Sequence, residues 1–459
     1  MPVPEKTYFG TDGIRGVAGQ PPLDPATVHA IGLALGDDMK AHGRHSVVIG
    51  EDTRESSRWI AETLAAGLAA RQVRIASAGV ITTPGIAYLT RSGDFAAGVM
   101  ISASHNPYQD NGIKVFDHSG YKLPDSDEAE VEAGIESYRQ RQLASRRHTL
   151  APDPELRERY LEFLAQRVAG ADLSSWAAIV DCGNGAASPL AEDLFRRLRL
   201  TARLLACQPN GRNINLDCGA LHPESMARAV ALERADVGLA LDGDADRVML
   251  ADAAGRIVDG DQVLYIAALD LLDRGLLEPK IVVGTVMSNL GLEVALRLHG
   301  IELLRAAVGD KYVLERMLES GAVLGGEQSG HVIFRHDATT GDGLLTALRV
   351  LEAMARRRQP LAELTRGFSA FPQKLVNVRV REKVPFEQLA GVTAAIRAAE
   401  TYFSGQGRVL VRYSGTERLA RVMVEAQSHA AVERHCQAIA AALESEIGES
   451  RRPGRGAAS

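Results

Sequence analysis

Short apolar runs alternate with stretches of helical spacing through the first 120 residues: SVVIG at 46–50, WIAETLAAGLAA at 59–70, VRIAS at 73–77 and FAAGVMIS at 95–102. Brief β-branched runs predict buried strands, and apolar positions recurring every three or four residues predict the helices between them. A polar, helix-like stretch runs to about residue 150, and the rhythm restarts with AAIVD at 177–181, TARLLAC at 201–207 and VGLALDGD at 237–244. It restarts again near 257, with a helix at DQVLYIAALDLLD, a strand at KIVVGTV, a helix from Ser288 and a strand at GAVLGGE, 321–327. From about 371 strands dominate (KLVNVRV, RVLVRYS, ARVMVEA) around two helices, one of them AAVERHCQAIAAALES. The expected fold is α/β. It has three similar domains with mixed sheets, at 1–152, 153–256 and 257–370. A smaller C-terminal α+β domain follows at 371–448, with a disordered tail at 449–459.

Composition narrows the function classes. The chain has 459 residues, 46% of them apolar, which is too long for one core and agrees with several domains. A net charge of −6, with one short basic run (RRPGR, 451–455), argues against a nucleic-acid partner. MPVPEKTYFG lacks the pattern of a signal peptide, and no apolar run reaches the length of a membrane span. A soluble cytoplasmic protein without a membrane partner is expected. Four cysteines, Cys182, Cys207, Cys218 and Cys436, stand far apart in sequence without a CxxC pair, which predicts buried free thiols.

Candidate chemistry sits mostly just after strands, where open parallel sheets place their ligand crevices. LDGDADRVML sets Asp242, Asp244 and Asp246 at alternate positions beyond an apolar strand. Three carboxylates that close repel unless a cation sits among them, and oxygen-only ligation suits Mg²⁺. An EF-hand is excluded, because Arg247 occupies the turn-glycine position and Ala253 that of the bidentate glutamate.

ISASHNPYQDNGIK, 101–114, puts Ser104 beside His105. A serine hydrolase would need His105 to reach Ser104, whereas neighbours in extended chain point to opposite faces, and no G-x-S-x-G elbow surrounds the serine. Read from its residues alone, the stretch is equally a turn. GTDGIRG, 10–16, offers glycines for close approach to a phosphate and Arg15 to neutralise it, and NGIK brings Lys114 near the serine loop. GGEQSGH, 325–331, supplies Glu327, Ser329 and His331, a set suited to sugar hydroxyls. RYSGTE supplies Arg412, Ser414, Gly415 and Thr416, a small phosphate cradle. Each of these is also readable as a plain turn.

In chain order, GTDGIRG, SASHNP, NGIK, DGDADR, VGTVMSNLGLE, VGDKYVLE, GGEQSGH, TTGDG and RYSGTE resemble the motifs of the α-D-phosphohexomutase family over nearly the whole chain, to about residue 446. The resemblance implies four domains around one cleft. It implies that Ser104 carries a phosphoryl group, and that one Mg²⁺ is held by Asp242, Asp244, Asp246 and the serine phosphate. Glu327 and Ser329 would read the sugar hydroxyls, the 412–416 loop would grip the phosphate not being transferred, and Arg15, Lys114 and His331 would serve the transfer. Either Lys114 or His331 could move the proton.

GGEQSGH, VGTVMSNLGLE and TTGDG are similar to the amino-sugar branch. The implied reaction interconverts glucosamine 6-phosphate and glucosamine 1-phosphate through a 1,6-bisphosphate, which also serves as activator, for UDP-N-acetylglucosamine and cell-envelope precursors. Glucose and mannose phosphates are the alternative substrates. A D-x-D phosphatase is the rival class, but Ala245, Asp246 and Arg247 replace the D-x-D-G-T continuation. Arg418 after SGTE and Leu221 in CGALH depart from the family pattern and bear on loop rigidity, not on the ligating residues.

Overall fold

The computed structural model describes residues 7–10, 12–141, 145–414 and 417–449. Gly415, Thr416 and the expected tail from 450 onward lie outside the described residues. By compactness the chain divides into one unit of residues 1–288 with 299–367 and another of 289–298 with 368–459.

The larger unit contains three mixed sheets. The first comprises β1 (Phe9–Gly10), β2 (Gly13–Val17), β3 (Ser46–Glu51), β4 (Arg74–Val80), β5 (Ala97–Ile101) and β6 (Asp110–Asp117), in the order β1-β2-β6-β5-β3-β4. Every residue of β3 is buried, as the unbroken apolar run SVVIG requires of a central parallel strand. The second holds β7 (Ala177–Asp181), β8 (Thr201–Leu205), β9 (Val237–Leu241), β10 (Val248–Asp252) and β11 (Ile257–Val258), ordered β11-β10-β9-β7-β8. The third holds β12 (Ile281–Thr285), β13 (Glu302–Ala306), β14 (Leu324–Gly326) and β15 (Val332–Phe334), ordered β13-β12-β14-β15.

One construction recurs in all three. A strand that runs parallel to an inner neighbour (β5, β9, β14) is followed by an antiparallel return strand (β6, β10, β15). The connections between them are the SASHNP, DGDADR and EQSGH segments. Each motif therefore hangs from the carboxyl end of a rigid, buried strand. GTDGIRG is not a free glycine loop: it forms the β1–β2 hairpin, with Gly10 opposite Gly13.

Asp342, from TTGDG, is buried behind this arrangement. It caps the helix Gly343–Arg357 by accepting from the Leu345 N–H at 2.9 Å, and it accepts from the hydroxyl of fully buried Tyr160 at 2.8 Å. Burial pushes its carboxyl up to about 6, against the pull of those hydrogen bonds. A carboxyl raised on folding binds its proton more tightly in the folded state, so its cost to stability is absent below the unfolded value and grows as pH rises through about 6. Asp342→Asn keeps a capping oxygen and removes that charge. The Tyr160 hydroxyl loses its acceptor at any pH, so the change in Tm is expected to be more favourable at about pH 7.5 than at about pH 5, and an equal change at both would count against the assignment.

The smaller unit carries β16 (Gln373–Arg379), β17 (Gly407–Tyr413) and β18 (Leu419–Ala426), antiparallel in the order β16-β18-β17. Helices Ala390–Phe403 and His429–Ile447 close its core through Val392, Phe403, Ile439 and Leu443, packed with Val422 of β18. The helix expected from Ser288 starts at Leu290, because Asn289 is its cap and accepts from the Gly291 N–H at 2.9 Å. The Ser288 hydroxyl accepts instead from the Thr285 N–H at 3.1 Å. Among the described residues, no helix is long and apolar enough to cross a membrane.

Candidate active site

Ser104 follows β5 in the left-handed region, at φ 52°, and is 1% exposed. The conformation is held from two sides. Buried Arg54, paired with Asp52, donates to the carbonyls of Ser104 (3.0 Å) and Asn106 (2.6 Å), and Asn215 Nδ2 donates to the same two oxygens at 2.9 and 3.2 Å. The Ser104 hydroxyl donates to Asp242 Oδ2 at 2.6 Å.

His105 Nδ1 lies 3.3 Å from Ser104 Oγ, so the expectation that neighbouring side chains diverge does not hold here. That expectation assumed extended chain, and a left-handed serine bends the two side chains together. The contact still does not make a hydrolase pair. Ser104 spends its one proton on Asp242, which leaves the imidazole as donor, and burial followed by nearby Arg247 and Arg15 pushes His105 down to about 4.

The three aspartates converge as predicted, though not through strand alternation: Ala245 at φ 56° folds DGDADR into a turn. One carboxylate oxygen from each of Asp242, Asp244 and Asp246 lies within 4.8 Å of the others. The turn sits against its neighbour so closely that a Cβ at Gly185 would stand 2.3 Å from the Gly243 carbonyl. Asp244 accepts from Thr83 Oγ1 at 2.5 Å and Lys114 Nζ at 2.8 Å. Asp12 and Asp246 stand 3.0 and 3.8 Å from the same ammonium.

Lys114, far from being a surface lysine, is 1% exposed. Burial alone would discharge it, but Asp12, Asp244 and Asp246 outweigh burial and hold it firmly protonated. Burial and then Lys114 act in opposite directions on Asp244, and the ammonium wins, keeping that carboxyl below the usual range. Asp242 goes the other way: burial, then Asp246 and Asp244, drive it well above. Asp244 Oδ1 and Asp246 Oδ1 are buried with no hydrogen-bond partner among the described residues. Opposed carboxylates with orphaned oxygens fit a hard divalent cation, and Mg²⁺ suits an all-oxygen set.

Beside the cluster opens a cavity of about 390 Å³, lined among others by Asp12, Arg15, His105, Arg247, Glu327 and His331. Arg15 pairs with Asp12. Glu327 accepts from the Gly309 N–H at 3.0 Å, and its segment is fixed by contact with Gly260, where a Cβ would meet the Glu327 carbonyl at 2.0 Å. His331 accepts from the Gly341 N–H through Nε2 at 3.2 Å, and its Nδ1 is buried without a partner among the described residues. Ser329 is exposed and does not line the cavity.

Lys122, which links Asp12 to Asp310, was not legible in sequence, and neither were Asn215 or Thr83. Arg54 had a faint signal in EDTRES, an Asp-x-Arg directly after a buried strand. In the smaller unit, Arg412 lies in β17 and Ser414 directly follows it. The Ser414 N–H donates to the Leu419 carbonyl at 2.8 Å. Arg421 stands directly opposite Arg412 in the β17–β18 register. Like charges facing across a ladder repel, and the Glu417 carboxylate lies 3.9 Å from Arg421.

The fold and the site together are those of an enzyme whose polar cavity adjoins a buried aspartate cluster that could hold a metal ion. Four family models match the chain in order, described as phosphoglucomutase/phosphomannomutase α/β/α domains I (residues 6–142), II (158–255) and III (259–371) and C-terminal domain (375–442). The phosphoglucosamine mutases of Koribacter versatilis and Solibacter usitatus are each 52% identical to it, covering 98% and 97% of this chain and 99% and 100% of their own. A solved phosphoglucomutase/phosphomannomutase family protein from Burkholderia thailandensis superposes with a TM-score of 0.78 at 26% identity, over 96% of this chain and 99% of that one. The Aspergillus fumigatus N-acetylphosphoglucosamine mutase, solved in complex with GlcNAc-6P and magnesium, shares the fold with a TM-score of 0.67 at 19% identity, over 96% of both chains. The chain belongs to the α-D-phosphohexomutase family, as an isomerase of the phosphoglucosamine mutase type.

Proposed function

We propose that this enzyme interconverts glucosamine 6-phosphate and glucosamine 1-phosphate by way of a phosphoserine at Ser104 and a glucosamine 1,6-bisphosphate, and so feeds the UDP-N-acetylglucosamine route. The observation that carries the mechanism is the meeting of the Ser104 hydroxyl, the three aspartates and Lys114 in one buried cluster at the wall of a cavity sized for a sugar phosphate. A phosphate ester on serine persists in water where an aspartyl phosphate would hydrolyse. A mutase needs that persistence while its intermediate turns over.

In this reading Asp242, Asp244 and Asp246 hold one Mg²⁺, which when bound offsets charge on the phosphoryl group being moved. Phospho-Ser104 gives its phosphoryl group to a sugar hydroxyl, the bisphosphate reorients, and its other phosphoryl group returns to Ser104. Arg15 and the Lys114 ammonium face the transferring group. Of the two candidate proton carriers, Lys114 is held protonated by Asp12, Asp244 and Asp246 and contributes charge, while the Nε2 of His331 is engaged by the Gly341 N–H. The unpartnered Nδ1–H of His331 is then free to donate to the sugar. Glu327 receives sugar hydroxyls, while Ser329 meets the substrate only if its exposed loop moves. Arg412, Ser414, Gly415 and Thr416 grip the second phosphate, and we add Arg421 to that set.

The substrate assignment predicts a preference, not an exclusion. The three sugar 6-phosphates differ by single groups, and such differences are worth about 1–3 kcal/mol unless a buried partner is stranded. Phosphorylated enzyme is expected to show its highest kcat/KM on glucosamine 6-phosphate, without net phosphate release. A preference of about tenfold for glucose or mannose 6-phosphate, roughly 1.4 kcal/mol, would move the enzyme to the other branch while leaving the chemistry intact.

A further inference from the structure

The four cysteines are free, with Cys182, Cys218 and Cys436 buried and Cys207 half-exposed. Cys182 and Cys207 are 25 residues apart in sequence, yet they lie just past the carboxyl ends of the adjacent parallel strands β7 and β8. The Cys182 N–H donates to the Leu205 carbonyl at 3.0 Å and the Asn184 N–H donates to the Ala206 carbonyl, which zips the two strand ends together. The register that pairs Asp181 with Leu205 brings Cys182 opposite Ala206, with Cys207 the next residue along. Neighbouring strands stand about 4.8 Å apart, where a disulfide spans a Cα separation of roughly 4.4–6.8 Å. The two thiols share a hydrogen bond.

We propose that Cys207 and Cys182 form a reversible dithiol–disulfide pair, oxidised by hydroperoxides, whose closure slows the mutase. Cys207 has the surroundings of a reactive thiol. Its Sγ is partly exposed and donates to the Ser188 carbonyl at 3.3 Å, in the first turn of the helix Ser188–Arg197. The hydrogen bond from Cys182 comes first among the causes that bring the Cys207 thiol down to about 7, while burial holds Cys218 up at about 12.

The Cys207 thiolate attacks one oxygen of the hydroperoxide. The O–O bond breaks, and the other oxygen leaves as alcohol, or as water from hydrogen peroxide. The sulfur of Cys182 then attacks the resulting sulfenic sulfur, the S–O bond breaks, and water departs with the Cys182 proton. Two thiols and one hydroperoxide thus give one disulfide, one alcohol and one water.

The pair is linked to the serine loop by a short chain of contacts. The Gly183 carbonyl accepts from the Asn215 N–H at 2.9 Å, and the Asn215 side chain in turn holds the Ser104 carbonyl. Thr53 Oγ1 donates to the Asn184 carbonyl at 2.6 Å, next to the Asp52–Arg54 pair. Drawing two sulfurs from hydrogen-bond to covalent distance must shift residues 182–184, and with them the support of Ser104.

The test uses the full-length protein with hydrogen peroxide, read by intact mass and non-reducing peptide mapping, which are independent of the activity proposed above. The expected result is loss of two hydrogens, a Cys182–Cys207 crosslinked peptide reversed by dithiothreitol, and Cys207 as the thiol most rapidly alkylated by iodoacetamide. Cys207→Ser and Cys207→Ala should form no crosslink, and Cys218→Ser should form it normally. A crosslink through Cys218, or Cys207 sulfinic acid with Cys182 left reduced, would overturn the pairing. The coupling, which rests on the mutase reading, predicts turnover reduced by about tenfold or more in crosslinked protein, since misplacing reacting groups by ~1 Å can cost ~100-fold. Crosslinked protein turning over at the reduced protein's rate would overturn the coupling alone.

Discussion

Ser104→Ala is expected to lose roughly 10⁴- to 10⁶-fold in isomerisation rate, the scale seen when a covalent enzyme loses its nucleophile. The fold should survive, because the loop does not depend on the hydroxyl. Arg54 and Asn215 hold the backbone carbonyls of Ser104 and Asn106, and Ser102 Oγ accepts from the Ser104 N–H at 3.0 Å. What is lost is the hydrogen bond to Asp242, worth about 1 kcal/mol or, to a charged partner, about 1.5–3 kcal/mol, together with the longer contact to His105 Nδ1 at 3.3 Å. Circular dichroism should therefore match the parent protein, while phosphate transferred from a hexosamine bisphosphate no longer appears on peptide 101–114. A folded variant that isomerises at near-normal rate would remove Ser104 from the mechanism.

The second large effect concerns the aspartate cluster. Asp246→Asn removes one of three carboxylates whose ligand oxygens lie within 4.8 Å of one another, and it changes the side chain that is least engaged by hydrogen bonds. Without divalent cation the variant should melt no lower than the parent, and higher if repulsion among the carboxylates dominates. With Mg²⁺ the order should reverse, because binding at 100 times Kd stabilises the parent by about 2.7 kcal/mol while the variant gains little. Turnover by the parent should be lost on treatment with EDTA and restored by Mg²⁺. Activity that persists in EDTA, together with an Mg²⁺-induced Tm shift unchanged in Asp246→Asn, would exclude this cluster as the metal site.

Much of this site was legible because its motifs are local. Each functional segment is a short polar sequence between an apolar strand and its return, and the residue types carry their chemistry on their face: three aspartates, a glutamate with serine and histidine, an arginine with hydroxyls. The left-handed backbone at Ser104 and Ala245 was not legible, since neither residue type demands it. That conformation is what brings His105 to the serine and draws the aspartates together. Thr83, Lys122, Asn215 and Arg421 were missed for a different reason. Their partners Asp244, Asp12 with Asp310, the Ser104 carbonyl and Arg412 lie on other elements, and a local pattern holds no trace of a contact made across sheets or strands.

By itself the sequence determined which segments become buried strands, where the polar loops interrupt them, and which side chains bring charge or ligand oxygens. These follow from periodicity and residue chemistry, which act over a few positions. Only the tertiary structure decided the electrostatic state of those side chains. Lys114 stays charged in the interior and Asp244 stays ionised because each meets the other, whereas Asp242 and Asp246, given the same residue type two positions away on either side, are pushed upward. It also decided that Cys182 meets Cys207 and not Cys218. Desolvation and Coulomb energy depend on distances through space, and those distances exist only once the sheets have packed.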